Sequence, residues 1–132
     1  GVLNLETMRF RYASAGHEPM LWYRSRTHSM EYLKTEYGYP LKLMESDDYD
    51  EKELLLEPND KVILFTDGLV EIRGPEGKLF SSERLAHLAL KYHDLPAQAF
   101  VDAIVAETQA YNPQQPFQDD VTLFVVQRKG NR

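Results

Sequence analysis

The sequence contains no cysteine among its 132 residues. This absence excludes disulfide scaffolds, thiolate zinc sites, iron–sulfur clusters and cysteine nucleophiles. The sequence also lacks any apolar run near the roughly 18 residues that a membrane-spanning helix needs, and it does not open with a basic and then apolar leader. We therefore expect a soluble, cytoplasmic protein without direct membrane contact, in which any metal ion is bound by oxygen or imidazole ligands.

An excess of basic residues is also missing, because 15 Lys and Arg residues stand against 21 Asp and Glu residues, for a net charge of −6. Proteins that bind a phosphate backbone usually show a basic surface, so we expect no nucleic-acid partner. Residues 45–60 hold eight of the acids and one base. Within it, the run Asp47-Asp48-Tyr49-Asp50-Glu51 lacks the glycine and the twelfth-position ligand of a calcium loop in register, and it favours a solvated acidic loop.

The length suits a single domain, since domains of roughly 100–150 residues bury one core. Apolar periodicity predicts strands at residues 2–5, 8–13, 20–24, 30–33, 53–57, 62–65 and 121–126. The first four are expected to form an antiparallel meander. Helices are predicted to start at residues 81–83 and near residue 94. This order predicts an α+β domain in which helices cover a mostly antiparallel sheet.

Two acidic positions stand at the ends of predicted buried strands. Asp67 follows one strand, in the dipeptide Asp67-Gly68, and Asp119-Asp120 precede another. Carboxylates at strand ends are held rigidly, as ligands of a hard metal ion must be. A structural interpretation is also open, because Asp-Gly is a common turn dipeptide and Asp-Asp can cap a loop. A haloacid-dehalogenase site is disfavoured, because its nucleophilic aspartate is replaced here by Phe65.

A third position of interest is the turn at residues 13–19, which joins two predicted strands and has His17 at its tip. Its small residues allow a ligand or another loop to approach the backbone closely. A lone histidine in a turn more often has a structural role, in which its ring nitrogens hold the turn. Taken alone, this turn does not indicate a function.

Together the three segments resemble, in order and spacing, the SpoIIE-like branch of the PPM-type (protein phosphatase 2C-like) serine/threonine phosphatases. The resemblance covers essentially all 132 residues. It implies an α+β fold, an antiparallel β-sandwich flanked by helices in α-β-β-α layers, with residues 1–132 as the C-terminal portion of one such domain, lacking the N-terminal strands. The matching motifs are Ala13-Ser14-Ala15-Gly16-His17-Glu18-Pro19, Phe65-Thr66-Asp67-Gly68-Leu69-Val70-Glu71 and Asp119-Asp120-Val121-Thr122-Leu123.

The resemblance also implies site residues and cofactors. Its metal ligands match Asp67 and Asp119, which would hold Mn²⁺ or Mg²⁺, two ions in the complete domain; Gly68 and Asp120 match supporting positions. Such ions activate a water that attacks phosphoserine or phosphothreonine. The turn with Gly16 and His17 faces the substrate, and His17 is the candidate acid for the leaving oxygen. The family's upstream bridging aspartate is absent from this sequence, so we expect the isolated chain to bind metal weakly and to turn over little or no substrate.

The partners implied by the resemblance are a phosphorylated regulatory protein, an anti-sigma-factor antagonist, and N-terminal sensory or receiver domains in the full-length chain. Unpaired sheet edges also allow a homodimer that completes its sheets across two copies. Two other functions stay open. One is a non-catalytic phosphoprotein-binding or regulatory module of the same fold, and the other is a docking domain whose acidic residues 45–60 engage a basic partner by electrostatic steering.

Overall fold

The computed structural model describes residues 1–34, 51–114 and 120–130. The strands of this part are β1 (Val2–Leu3), β2 (Arg9–Tyr12), β3 (Met20–Arg24), β4 (Ser29–Leu33), β5 (Lys52–Leu55), β6 (Lys61–Phe65) and β7 (Leu123–Gln127). The helices are α1 (Asp67–Val70), α2 (Ser82–Lys91) and α3 (Ala97–Tyr111). All seven predicted strands and both predicted helices are therefore confirmed; β3 has the predicted ends, the other strands have shifted ends, and α1 was not predicted.

The strands form two antiparallel sheets, with the orders β1-β2-β5 and β4-β3-β6-β7. The expectation of one meander in the first third of the chain is wrong, because β2 pairs with β5 while β3 pairs with β4 and β6. The apolar run of β6 is buried on both faces of the sheet. β6 is a central strand, and its backbone pairs with β3 on one side and with β7 on the other. Residues 13–19 therefore pass from one sheet to the other.

Two apolar clusters hold the layers together. Along β6 the side chains alternate between them, with Val62 in one cluster and Ile63 and Phe65 in the other. The cluster between the sheets consists of Phe10, Tyr12, Leu33, Leu54, Leu56 and Val62. The cluster between the larger sheet and the helices includes Leu21, Ile63, Phe65, Leu69, Phe80, Leu85, Phe100 and Ile104. This is the α+β sandwich of antiparallel sheets with helices that the sequence predicts.

The two longer helices begin and pack as their sequences indicate. α2 follows Ser81, whose hydroxyl accepts a hydrogen bond from the Arg84 N–H at 3.4 Å. α3 buries Phe100, Ile104 and Thr108, one residue per turn on a single face. Within the described part of the chain, no helix has the length and apolar character that crossing a membrane requires.

Residues 51–60 of the acidic segment form a strand and a turn. Asp60 is 1% exposed and lies directly before β6. Three other acids form ion pairs with arginines: Arg9–Glu53 at 2.5 Å, Arg11–Glu51 at 3.5 Å and Arg26–Glu57 at 3.7 Å. The predicted acidic loop at residues 47–51 falls almost entirely outside the described ranges, whereas the strand predicted at residues 53–57 is confirmed as β5. Residues 45–50 lie outside the described ranges.

Candidate active site

The end of β6 and the start of β7 lie side by side at one edge of the four-stranded sheet. Their regular ladder stops where Phe65 stands opposite Leu123. One residue further, the Thr66 N–H donates to the Thr122 carbonyl oxygen at 3.1 Å, and the Thr122 N–H donates to Thr66 Oγ1 at 2.9 Å. The pairing of β6 with β7 thus brings the segment of Asp67 and the segment of Asp120 to the same edge of the sheet.

Asp67 is the first residue of α1, and its side chain is exposed. The segment was open to interpretation as a turn, but it forms one helical turn, closed by a hydrogen bond from the Glu71 N–H to the Asp67 carbonyl oxygen at 2.9 Å. Leu69 and Val70 are buried in the core below the sheet edge. An exposed carboxylate is therefore mounted on a short element that the core anchors.

Gly68 is required for space rather than for a turn. A Cβ at this position would lie closer than 3.0 Å to the carbonyl oxygen of Asp120 and would also meet Val121. The glycine is buried, and α1 continues through it as a regular helical turn. The backbone of Asp120 can therefore approach the first turn of α1 only because residue 68 has no side chain.

The turn at residues 13–19 presents His17 to solvent. Gly16 has a φ of 72°, a conformation that favours glycine. His17 Nδ1 donates to the carbonyl oxygen of Glu18 at 2.9 Å, because a carbonyl oxygen can only accept. In the neutral ring the proton is therefore on Nδ1, and Nε2 is the nitrogen that can take up a proton.

Glu18 is a site residue that the sequence analysis missed. Burial raises the pKa of Glu18 above its ordinary value, and Asp67 raises it further through its charge and a side-chain hydrogen bond. The charge of Glu71 acts in the same direction, while His17 lowers this pKa. The carboxyl group of Asp67 is thus near enough to Glu18 to influence its protonation. The available signals were the position of Glu18 beside His17 and the four-residue spacing of Glu71 from Asp67, but neither shows that the turn reaches α1.

The side chains at this edge of the sheet are of the chemical type that binds a hard divalent cation. Asp67 and Glu18 supply carboxylate oxygens, the ligands that Mg²⁺ and Mn²⁺ prefer. Burial raises the pKa of Glu18 most, and the negative charges of Asp67 and Glu71 raise it further; a bound cation would relieve that crowding of charge as a proton does. In the described residues, no group of three or more Asp, Glu or His side chains has a geometry that could hold an ion. Asp120 is exposed, and the predicted ligand Asp119 lies outside the described residues.

Comparisons with known proteins agree with this architecture. The family model described as stage II sporulation protein E (SpoIIE) matches residues 1–129. Among curated proteins, the chain is 34% identical over 128 residues to phosphoserine phosphatase RsbU of Bacillus subtilis. This match covers 96% of this chain and 37% of RsbU.

Solved structures show the same fold. The SiaA-PP2C domain of Pseudomonas aeruginosa matches with a TM-score of 0.75 and 24% identity, over 92% of this chain and 47% of that chain. The PP2C phosphatase domain of Bacillus subtilis SpoIIE, solved with a fragment of its regulatory domain, matches with a TM-score of 0.73 and 20% identity, over 98% of this chain and 37% of that chain. The chain therefore spans less than half the length of these relatives. The match over residues 1–129 and the shared sandwich of antiparallel sheets show that this chain belongs to the SpoIIE family, whose fold is that of PP2C phosphatases.

Proposed function

We propose that the protein containing this chain is a metal-dependent PP2C-type protein phosphatase that hydrolyses phosphoserine or phosphothreonine on a regulatory partner protein. The observation that carries the proposal is the meeting of the Asp67 and Asp120 segments at one sheet edge, held by hydrogen bonds between Thr66 and Thr122. Membership of the SpoIIE family and the similarity to RsbU support the reaction class. In this proposal residues 1–132 are the C-terminal portion of one phosphatase domain.

The proposed metal ligands are Asp67 and Asp119, with Gly68 and Asp120 as supporting residues. A similar SpoIIE phosphatase domain was presoaked with manganese, and the similar protein RsbX was solved in complex with magnesium, which supports either ion as the cofactor. When bound, such ions lower the pKa of a coordinated water toward ~7 and neutralise phosphoryl oxygens. Glu18, whose pKa is raised by burial and by Asp67, is the further carboxylate that we place at this edge.

The residues of the turn at 13–19 have roles on the substrate side of the proposed site. The hydrogen bond from His17 Nδ1 to the Glu18 carbonyl oxygen orients the imidazole, so that Nε2 is the atom that gives a proton to the leaving serine or threonine oxygen. Gly16 has no side chain and is exposed, which leaves room for the substrate chain to approach the backbone.

The proposed substrate is a phosphorylated anti-sigma-factor antagonist. RsbU is a phosphoserine phosphatase, and a further similar structure contains the RsbU and RsbW domains of Rv1364c from Mycobacterium tuberculosis. The second of these relatives supports a place for this chain in a multidomain protein, and we propose that sensory or receiver domains lie on its N-terminal side.

A second candidate is a non-catalytic phosphoprotein-binding module of the same fold. Such a module would keep the fold and the sheet edge that carries Asp67, and it would bind a phosphorylated partner without hydrolysing it. Docking of a basic partner on the acidic segment is less well supported, because Glu51, Glu53 and Glu57 already pair with arginines.

The decisive experiment is hydrolysis of p-nitrophenyl phosphate by the full-length protein, with and without Mn²⁺. We expect Mn²⁺-dependent turnover that falls on the order of 100-fold or more in Asp67→Asn and in Asp119→Asn, because each change removes a charged ligand. Glu76→Gln is the matched control, since it neutralises an exposed carboxylate in the hairpin after α1. Turnover that survives in Asp67→Asn would overturn the assignment, and binding of a phosphoprotein without turnover would favour the second candidate.

A further inference from the structure

We propose that Thr66 is a positioning residue, whose side-chain hydroxyl holds the backbone of residues 120–122 beside Asp67. The inference rests on the proposed function, because it assigns to Thr66 the alignment of the two segments that meet at the proposed metal site. Its structural basis is independent of any bound ion.

The hydroxyl of Thr66 joins two backbone groups of the neighbouring segment. It accepts from the Thr122 N–H at 2.9 Å and donates to the Asp120 carbonyl oxygen at 3.3 Å. A hydroxyl has one proton to donate and two lone pairs, so both bonds can exist at once. With the bond from the Thr66 N–H to the Thr122 carbonyl oxygen at 3.1 Å, one residue makes three hydrogen bonds to residues 120–122.

The alternative role for this threonine is that of a helix cap, and the geometry speaks against it. Thr66 occupies the N-cap position of α1, where a threonine hydroxyl ordinarily accepts from a backbone N–H of the first turn. Its backbone has the extended conformation that is usual for an N-cap, with φ −99° and ψ 162°, but the side chain makes no capping hydrogen bond. The hydroxyl is used across the strands instead of within its own helix.

These bonds matter because Leu69 and Val70 anchor α1 in the core, but the groups that meet at the sheet edge lie outside it. Asp67, Asp120 and Thr122 are all exposed, and the regular ladder has already ended at Phe65. Gly68, the residue after Asp67, lies against the carbonyl oxygen of Asp120. The residues before and after Asp67 thus both contact residue 120. Gly68 does so through packing, whereas Thr66 does so through a hydrogen bond, which fixes a direction. Outer partners of this kind orient metal ligands, and their loss typically costs 10–100-fold in metal affinity.

The test compares three variants of the full-length protein. Thr66→Val keeps the shape and removes the hydroxyl, and Thr66→Ser keeps the hydroxyl. Thr108→Val is the matched control, because it removes a buried hydroxyl that bonds to Val105 within α3. Two quantities are measured: the dissociation constant of Mn²⁺, from the electron paramagnetic resonance signal of free Mn²⁺, and the exchange rate of the Thr122 amide proton by NMR in EDTA.

We expect Thr66→Val to raise the Mn²⁺ dissociation constant about 10- to 100-fold and Thr66→Ser to stay within about threefold of the wild type. The Thr122 amide proton should exchange faster in Thr66→Val even without metal, because its acceptor is gone. Thr108→Val should lower the unfolding midpoint but change neither quantity. Unchanged exchange and affinity in Thr66→Val, or a serine variant as weak as the valine variant, would overturn the proposal. If the wild type shows no phosphatase turnover, the proposed function fails, and the Thr122 exchange rate still decides the role of Thr66.

Discussion

Gly68 lies against the carbonyl oxygen of Asp120 with no room for a side chain between them. Gly68→Ala is therefore expected to push the two segments apart, to lower the free energy of unfolding by about 1–3 kcal/mol and to weaken Mn²⁺ binding. Urea denaturation and Mn²⁺ titration of the full-length protein measure both effects. Gly77→Ala is the control. Gly77 has a φ of 79° and open space around it, so an alanine there should cost about 1 kcal/mol through backbone strain alone, away from the site. Wild-type Mn²⁺ affinity in Gly68→Ala would contradict the expectation.

Glu18→Gln should stabilise the metal-free protein at neutral pH. The folded-state pKa of Glu18 is raised by burial and by Asp67, so its charged form is disfavoured in the fold. The folded state then binds this proton more tightly than the unfolded state, and stability falls as pH rises from 4.5 through the folded pKa. Denaturation in EDTA should show a larger free energy of unfolding for the variant than for the wild type at pH 7. This difference in stability should disappear by pH 4.5. A wild type that is more stable than Glu18→Gln at neutral pH would argue against this account.

Lys61→Met tests a buried cation at the opposite end of β6. Lys61 is 1% exposed, its ammonium donates to the His93 carbonyl oxygen, and it lies over the rings of Tyr23 and Phe100 at 5.6 and 5.4 Å. Burial lowers the pKa of Lys61, and Asp94 opposes this in part.

The unfolded state therefore holds this proton more tightly, and stability should rise with pH from the folded pKa toward 10.5. Lys61→Met should abolish that rise and change the free energy of unfolding by no more than about 1 kcal/mol at neutral pH. The series of urea denaturations should extend no higher than pH 10.0. Burial also raises the pKa of Tyr23, so above that pH the ionisation of Tyr23 makes stability fall as pH rises. An equal slope in both proteins would contradict the prediction.

Asp60→Asn should destabilise the fold without changing metal binding. The buried carboxylate accepts hydrogen bonds from Trp22 Nε1 at 3.1 Å, the Ser25 N–H at 2.8 Å and the Glu57 N–H at 3.0 Å. An amide nitrogen among these donors leaves at least one unpaired, so we expect a loss of about 2–3 kcal/mol. Trp22→Phe removes only one of the bonds and should cost about 1 kcal/mol. Thermal or urea unfolding measures both, and a smaller loss in Asp60→Asn than in Trp22→Phe would reject this ranking.

Local patterns in the sequence were sufficient to find most of the fold. The apolar run at Val62–Phe65 is typical of a strand buried on both faces, and the seryl start of α2 is typical of a helix cap. These signals are local because they depend on the periodicity of side chains within one element. The partner of β2 could not be found in this way, since periodicity shows which face of a strand is buried and not which strand covers it.

The candidate site was only partly visible for the same reason. The motifs that contain Asp67 and Asp120 could be singled out from their neighbours in the sequence and from a family resemblance. The influence of Asp67 on the pKa of Glu18, and the use of the Thr66 hydroxyl across 54 and 56 residues of sequence, depend on the pairing of distant strands. No local pattern distinguishes a threonine that caps a helix from one that holds another segment.

The sequence by itself determined the strands, the two long helices, the absence of thiol chemistry and the family to which the chain is similar, because each depends on residue types or on spacing along one segment. The tertiary structure alone decided that β2 and β3 enter different sheets, that Asp60 is buried among donors, and that Gly68 and Thr66 meet the backbone at Asp120. These are contacts between segments far apart in the chain, and they form only when burial of the two apolar clusters brings the sheets and helices together.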